Sequence, residues 1–366
     1  MSFKITNLQN ETIDFENLTL NVDEKIFQLQ ASNNFVNVRY EPKIFDSAFE
    51  GKKMAYYFFQ NAYLNAENNI FQVYHEKTRI GWVFPIQALV SNENDFAENI
   101  YFSQYKYSTY KEILSGGIAT KKININSQDS YSLIDFFEDD IIIFCVSLEK
   151  LEENNMEISD FLPSFSKYGY YIYEQGDNTI LRDNDKANFF LKHTKTQKLL
   201  ITKSKVKLSD HTFLQNLYYN YLKKIDDKVL RFFMLYQVIE YFLDKDFNYK
   251  FDKILKNYEE KKIDKNTFRE RINKSSNERS LINNLTAFIN DDDLTVDFKR
   301  DGKLFLENFG EYDKNEVGDI IYDIRNLLIH RYRDIDTLDT EKIKIFQIIT
   351  NQLEQIINSY MINYYR

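Results

Sequence analysis

Cysteine, proline and glycine are all scarce in this sequence. Its 366 residues include 1 Cys, 3 Pro and 9 Gly. Because Cys145 is the single cysteine and lies in an apolar stretch, an intramolecular disulfide is excluded and a zinc site built on cysteines is not expected. The few Pro and Gly leave little room for disordered linkers, so we expect a chain that is ordered nearly throughout.

Long apolar runs are also missing. A membrane helix needs roughly 20 apolar residues, whereas the longest run here, around Ile141 to Val146, is bounded by Asp140 and Glu149. The first residues do not follow the charged-then-apolar layout of a signal peptide. Together with the single cysteine, these features predict a cytoplasmic protein that does not associate with membranes.

The net charge of −9 argues against a protein that coats nucleic acid nonspecifically. It is compatible with a local basic groove, and two segments could form one. Lys192 to Lys207 carries six lysines and no acid, and Lys261 to Arg279 carries seven basic residues and three acidic ones. A solvated face or an exposed linker is the simpler interpretation of each segment.

The length predicts two or three domains, at about 150 residues each. Over residues 1–205, apolar and polar residues alternate between polar turns, which indicates a strand-rich, mainly antiparallel domain. The segments predicted as strands are 13–20, 26–30, 35–40, 70–74, 79–84, 140–148, 168–173 and 199–208. We expect this domain to have a sensing or regulatory role. An enzymatic role ranks last for it, because it contains no recognisable set of nucleophile, base and oxyanion donors.

Several features of the first half have structural explanations. His75 and His193 are isolated from any Cys or second His, and Gly116-Gly117 has no following Lys-Ser/Thr that would make a phosphate loop. We interpret them as surface histidines and a turn. The many Tyr and Phe indicate sheet packing rather than base stacking.

The spacing of apolar residues changes from a strand pattern to a helical pattern after Leu208. Ser209-Asp210 stands where a helix N-cap belongs, and apolar residues then recur at helical spacing. Residues 206–366 are therefore predicted to be an all-α bundle, which makes the whole chain α+β. The predicted helices cover 213–222, 229–243, 251–262, 265–272, 278–288, 303–309 and a segment that begins near Asn315.

Two acidic features lie in this helical half. Glu240 interrupts the apolar helix 229–243, and we expect it either to reach solvent or to support a polar site. The run Asn290-Asp291-Asp292-Asp293 reads as a loop or helix start. It lacks the spacing and the turn glycine of a calcium loop, so no metal site is predicted there.

The last predicted helix carries the candidate chemistry. Its buried stripe is Val317, Ile320, Ile321, Ile324, Leu327 and Leu328. Asn326 and His330 are four residues apart and share another face, with Asp323 one turn before and Arg333 one turn after. Arg325 lies about 100° from Asn326, so its long side chain can reach the same region. A guanidinium, an amide and an imidazole suit a phosphodiester, because Arg binds phosphate oxygens in a fork and His exchanges protons near neutral pH.

The segment Arg325-Asn326-Leu327-Leu328-Ile329-His330 resembles the motif of the HEPN superfamily, in which an Arg, often followed by Asn, precedes a His by four to six residues. The helix 232–241 is similar to the first long helix of bacterial members related to the ApeA-type anti-phage proteins. The resemblance covers about residues 209–366 and leaves the strand-rich half unexplained.

The resemblance implies a metal-independent endoribonuclease of an anti-phage or toxin-type defence system, without a cofactor. It implies a homodimer through the C-terminal domain, in which both subunits line one RNA cleft. His330 would then carry the proton transfer that activates the ribose 2′-hydroxyl, Arg325 would stabilise charge on the phosphorus, and Asn326 would orient the site. A phage-derived trigger is a further partner that the resemblance implies.

Other interpretations stay open. The HEPN domain could be a noncatalytic dimerisation and nucleotide- or RNA-binding module, or the first half could be the enzyme. Arg325 and His330 could simply pair with acids such as Asp323 or Asp334. Tyr332 extends the motif to His-x-Tyr, which in some HEPN toxins is modified by a partner nucleotidyltransferase acting as antitoxin. The resemblance therefore also implies regulation through Tyr332.

Overall fold

The computed structural model describes residues 2–32, 34–42, 54–62, 70–153, 155–174, 198–286, 289, 292–331, 333 and 340–363. The chain divides into two compact units, Met1–Lys203 and Ser204–Arg366. This division lies two residues before the boundary expected from the sequence, between residues 205 and 206. His193, Tyr332, Asp334, Asn290 and Asp291 lie outside the described residues.

The first unit is built mainly from strands. They are β1 (Phe3–Thr6), β2 (Thr12–Phe15), β3 (Asn17–Asn21), β4 (Ile26–Ala31), β5 (Asn34–Arg39), β6 (Met54–Asn61), β7 (Phe71–His75), β8 (Thr78–Pro85), β9 (Ser130–Ser132), β10 (Ile142–Ser147), β11 (Tyr170–Ile172) and β12 (Lys198–Ile201). Its helices are α1 (Ile100–Gly116), α2 (Leu148–Glu153) and α3 (Leu162–Lys167).

The described strands form three sheets. β1 pairs with β2, a four-stranded sheet has the order β3-β4-β5-β9, and a six-stranded sheet has the order β11-β6-β10-β8-β7-β12. All pairings are antiparallel except β5 with β9 and β7 with β12. The mainly antiparallel character expected from the alternating pattern is confirmed.

One of the two central strands of the largest sheet is β10, which is buried along its whole length between β6 and β8. Its unbroken apolar run therefore has a structural reason, since a strand covered on both faces has no solvent side to alternate with. Gly81 of β8 lies so close to the Cys145 carbonyl that a Cβ would collide with it. Cys145 is a buried core residue that accepts a hydrogen bond from Thr109 Oγ1.

One expectation for this unit is wrong, and one long helix was not foreseen. The segment 13–20, predicted as one strand, is split after Phe15, and β2 and β3 belong to different sheets. The 17-residue helix α1 lies in a stretch for which the sequence analysis named no element. Its many aromatic residues have high strand propensity, but its face of Phe102, Tyr110 and Leu114 is buried, and burial outweighs propensity.

Helices and the turns and loops between them make up the described residues of the second unit. A short turn at Leu208–Asp210 leads into α4 (Thr212–Asn216), which continues as a π-helical turn at Leu217–Tyr221. The remaining helices are α5 (Lys228–Glu259), α6 (Lys265–Ser275), α7 (Glu278–Thr286), α8 (Asp292–Glu307), α9 (Val317–His330) and α10 (Thr340–Asn363). The chain is thus α+β, as expected.

Helix α5 is longer than predicted. The segments 229–243 and 251–262 were expected to be separate helices, but one helix of 32 residues spans both. The side chain of Asp227 caps its start by accepting a hydrogen bond from the Leu230 amide at 2.7 Å. α8 also extends well before the predicted segment 303–309, and it begins at Asp292.

A buried ion pair joins α5 to α10. Arg231 Nη2 donates to Glu354 Oε2 at 2.6 Å, and the two side chains are 10% and 2% exposed. Arg231 also donates to the Leu222 carbonyl, so its charge is both paired and hydrogen-bonded. No helix of the described segments is both long enough and apolar enough to span a membrane.

Candidate functional site

The candidate site lies on α9. The helix buries Val317, Ile320, Ile321, Ile324, Leu327 and Leu328, which is the stripe predicted from the helical period. It begins at Val317, two residues after the expected start at Asn315. Gly318 packs so tightly against Asn283 of α7 that a Cβ there would collide with it. This close approach fixes α9 against α7 and so determines which faces of α9 stay accessible.

Asn326 and His330 lie on the accessible face, as their spacing predicts. Both line a groove of about 440 Å³, here called the His330 groove, between α9 and the loop that follows α8. Its lining also includes Phe309, Tyr312, Lys314, Asp323 and Arg331. His330 is exposed and is the last residue of α9.

Arg325 points to the other side of α9. It lines a second groove of about 460 Å³, the Arg325 groove, together with Glu240, Asp244 and Glu278. Its guanidinium lies 3.7 Å from Glu240 Oε1 and 5.6 Å from the ring centre of Tyr236. In a single chain, therefore, Arg325 and His330 line different grooves.

Asn326 connects the two sides. Arg325 Nη1 donates to Asn326 Oδ1 at 3.0 Å. Because a guanidinium can only donate, the amide oxygen of Asn326 must face Arg325 and its amide nitrogen must face away from it. Within the described residues that nitrogen has no hydrogen-bond partner, and Asn326 lines the His330 groove. The guanidinium thus leaves the amide nitrogen of Asn326 as a donor for a group bound on the side away from Arg325.

Glu240 supports Arg325. Its carboxylate is 36% exposed, pairs with Arg325 and accepts a hydrogen bond from Gln237 Nε2 at 2.6 Å. Of the two roles considered for Glu240, the structure therefore shows the supporting contact together with partial exposure. Tyr236 lies beside the same guanidinium and donates to Glu278 Oε1 at 2.7 Å. Burial and this hydrogen bond raise the pKa of Tyr236, so it stays protonated.

Asp323 is held by partners that sequence reasoning missed. Its carboxylate accepts hydrogen bonds from Arg279 of α7, from Lys314 Nζ at 2.8 Å and from Tyr312 OH at 3.0 Å. Burial by itself would raise the pKa of Asp323, but the hydrogen bonds from Arg279, Lys314 and Tyr312 outweigh it and lower that pKa. Asp323 is therefore ionised and is not the partner of Arg325 or His330.

The remaining predicted positions are less informative. α9 ends at His330, so the helical period that would place Arg333 on the same face does not continue to it. Tyr332 and Asp334 lie outside the described residues. His75, expected to be a surface histidine, is half-buried and packs against Phe161. The Gly116-Gly117 pair, expected to form a turn, ends α1, with Gly117 as the C-cap.

Neither a metal site among the described residues nor a related protein indicates the function of this chain. No group of three or more His, Cys, Asp or Glu suited to a metal ion occurs among the residues that the structure describes. No protein-family model, curated protein or solved structure matches the chain. A functional assignment therefore depends on the residues of the site itself.

Proposed function

We propose that this chain is a metal-independent endoribonuclease of HEPN type, which acts in the cytoplasm as part of an anti-phage or toxin-type defence system. The motif from Arg325 to His330, at the end of a helix in an all-helical unit, supports this proposal. The observation that carries it is the hydrogen bond from Arg325 to Asn326 beside a groove that Asn326 shares with His330. That arrangement offers an imidazole and an oriented amide donor to one ligand.

A second copy of the chain belongs to the proposal. Within one chain the guanidinium of Arg325 lies in a different groove from His330. A twofold axis next to α9 would bring two motifs together, so that each scissile phosphate meets a guanidinium and an imidazole. Such a homodimer, formed through the helical unit, makes a fuller site than a single chain offers.

The reaction proposed is transesterification at phosphorus. His330 accepts the proton of a ribose 2′-hydroxyl, the 2′-oxygen forms a bond to phosphorus, and the bond to the 5′-oxygen breaks. The 5′-oxygen takes up a proton that the His330 imidazolium formed in the first step returns, and Arg325 stabilises the charge on the phosphoryl oxygens. The products are a 2′,3′-cyclic phosphate and a 5′-hydroxyl. DNA is resistant because it lacks the attacking group.

One observation favours a second candidate, a noncatalytic module that dimerises and binds RNA or a nucleotide. Arg325 is already engaged by Glu240 and by the Tyr236 ring. A guanidinium held in this way is suited to anchoring a phosphate or to organising Asn326 without taking part in bond cleavage. This candidate predicts RNA binding without new 5′ ends.

The test is an incubation of the purified full chain with total RNA in excess EDTA, with His330→Ala as control. We expect cleavage that persists in the chelator and yields 5′-hydroxyl ends. Chelator-sensitive cleavage, or products with 5′-phosphate, would overturn the proposal even if the control were inactive. Light scattering at micromolar concentration tests the dimer, and a strictly monomeric chain would remove the composite site.

A further inference from the structure

The end of α5 and the whole of α6 form a charged helical hairpin, residues 250–274. The connection between the two helices is short, and the Tyr258 and Phe268 rings meet at 4.9 Å, so the helices run antiparallel. The hairpin contains nine basic and five acidic residues, a net charge of +4 in a chain of net charge −9. It is the reverse of the charge balance of the chain as a whole.

Few of these cations form ion pairs within the part of the chain that the structure describes. Lys250 pairs with Asp246, and Lys262 pairs with Glu260. The other seven are exposed, and no carboxylate of the described residues forms an ion pair with them: Lys253, Lys256, Lys261, Lys265, Arg269, Arg271 and Lys274. Because the cations outnumber the acids of the hairpin, it is a surface that an anion would stabilise.

The cations are not spread evenly around the hairpin. Lys250, Lys253 and Lys256 recur every three residues and therefore form one row along α5. Tyr249, which is 59% exposed, precedes Lys253 by four residues and lies on the same side. By the helical period, Arg271 and Lys274 lie on the same side of the contact between the two helices as this row of lysines. Lys265 and Arg269 lie on the opposite side of that contact. Asp252 and Glu259 also lie on that opposite side, so one side is basic and the other is mixed.

We propose that the basic side of the hairpin binds the phosphate backbone of single-stranded RNA and leads the strand to the motif on α9. The inference rests on the proposed function and names how its substrate is held. At 1.5 Å per residue, Lys250 and Lys256 lie about 15 and 24 Å along α5 from Glu240, the residue that holds Arg325. Cations with an exposed aromatic ring beside them suit a single strand, since the charges follow the backbone and the ring stacks on a base.

An anionic membrane is the competing partner for a basic helical surface. Binding in a membrane interface requires an apolar face that can insert. In this hairpin Tyr258 packs against Phe268, and Phe251 packs against Phe247, which lies just before the hairpin. Over residues 249–274 the exposed large apolar side chains are the tyrosines Tyr249 and Tyr258, and no exposed aliphatic side chain accompanies them, which favours RNA.

The test uses the full chain with His330→Ala, so that RNA stays intact, and a fluorescein-labelled uridine 20-mer. The variant is Lys253→Gln with Arg271→Gln. The control, Lys265→Gln with Arg269→Gln, removes one Lys and one Arg from the opposite side of the same hairpin. On a single strand, each phosphate contact contributes about 0.7 to the slope of log K against log salt. The variant removes two cations, so this slope should fall in magnitude by about 1.4. Affinity near 0.1 M salt should fall on the order of 10- to 30-fold, and the control should bind within about threefold of the parent.

Three results would overturn the proposal: no RNA binding by the parent, equal losses in variant and control, or no loss in either. A variant that loses binding only to phosphatidylserine-containing vesicles would instead identify a membrane surface. Cleavage by the same variants with His330 restored separates this inference from the proposed function. If the parent binds RNA through the hairpin but does not cleave it, the ribonuclease proposal fails and the binding surface stands.

Discussion

Arg325 and Asn326 are neighbours in sequence but line different grooves beside α9. The hydrogen bond between them allows Arg325, in one groove, to orient the amide of Asn326 in the other. Nη1 of Arg325 donates to Oδ1 of Asn326 at 3.0 Å, which leaves the amide nitrogen of Asn326 as a donor in the His330 groove. A direct role for Arg325 on a phosphate and an indirect role through Asn326 are therefore separable by mutation.

Asn326→Asp separates them. The aspartate keeps an acceptor for Arg325 but removes the amide donor, so we expect RNA cleavage to fall on the order of 10- to 100-fold, as for Asn326→Ala. A hydrogen bond to a charged group contributes about 1.5 to 3 kcal/mol, which corresponds to a loss of that size. The thermal midpoint should stay within a few degrees of the parent. Cleavage by Asn326→Asp within about threefold of wild type would show that the amide donor is not used.

The Asp323 cluster should make stability depend on acid pH. Hydrogen bonds from Arg279, Lys314 and Tyr312 hold the pKa of Asp323 below its ordinary value despite burial. A carboxyl whose folded pKa is depressed stabilises the fold above its unfolded pKa, near 3.9, and this contribution is lost as pH falls through the folded value. Asp323→Asn should therefore lower the free energy of unfolding at pH 7 by about 1 to 3 kcal/mol.

Urea denaturation of wild type and Asp323→Asn between pH 7 and pH 2 checks this expectation. The difference between the two proteins should be constant at neutral pH and should shrink below about pH 4. Asp313→Asn is the matched control, because Asp313 is an exposed acid in the same groove. A difference that grows as pH falls would contradict the assigned sign.

The buried pair of Arg231 and Glu354 offers a test of the helical core. Glu354→Ala leaves a buried guanidinium without its carboxylate, and breaking such a pair costs about 3 to 5 kcal/mol. Arg231→Met together with Glu354→Leu removes both charges and should be far less damaging. Urea denaturation measures the free energy of unfolding of the two variants. A double variant as unstable as Glu354→Ala would show that the charges themselves stabilise the core.

The sequence predicted the site wherever the helical period alone determines position. The buried stripe of α9 was predicted correctly, and so was the common face of Asn326 and His330, because both follow from residues three and four apart on one helix. The strands β4 and β5 were likewise predictable from alternation over a few residues, and β8 from its β-branched and aromatic residues.

The period does not determine contacts between distant segments. Arg325 is drawn away from His330 by Glu240 and Tyr236, which belong to a different helix. The three donors around Asp323 come from α7 and from the loop before α9, and none of them is close to Asp323 in the periodic pattern. Such long-range contacts require the packing of α5, α7 and α9, which local spacing does not encode.

Arg325 and His330 carry the sharpest mechanistic prediction. Arg325→Ala and His330→Ala should each abolish RNA cleavage or cellular toxicity, since loss of a positioned proton-transfer group costs on the order of 10² to 10⁴ in rate. The thermal midpoint should change by only a few degrees, because His330 is exposed and Arg325 lies beside the buried stripe rather than in it.

Arg325→Lys keeps the charge but loses the planar fork that engages two phosphate oxygens and the geometry that reaches Asn326, so it should be nearly as impaired as the alanine variant. The measurements are initial rates on a defined RNA and thermal unfolding of the same preparations. Residual cleavage within about threefold of wild type in either alanine variant would exclude the assigned role, whereas a large fall in the thermal midpoint would show that the residue acts through stability.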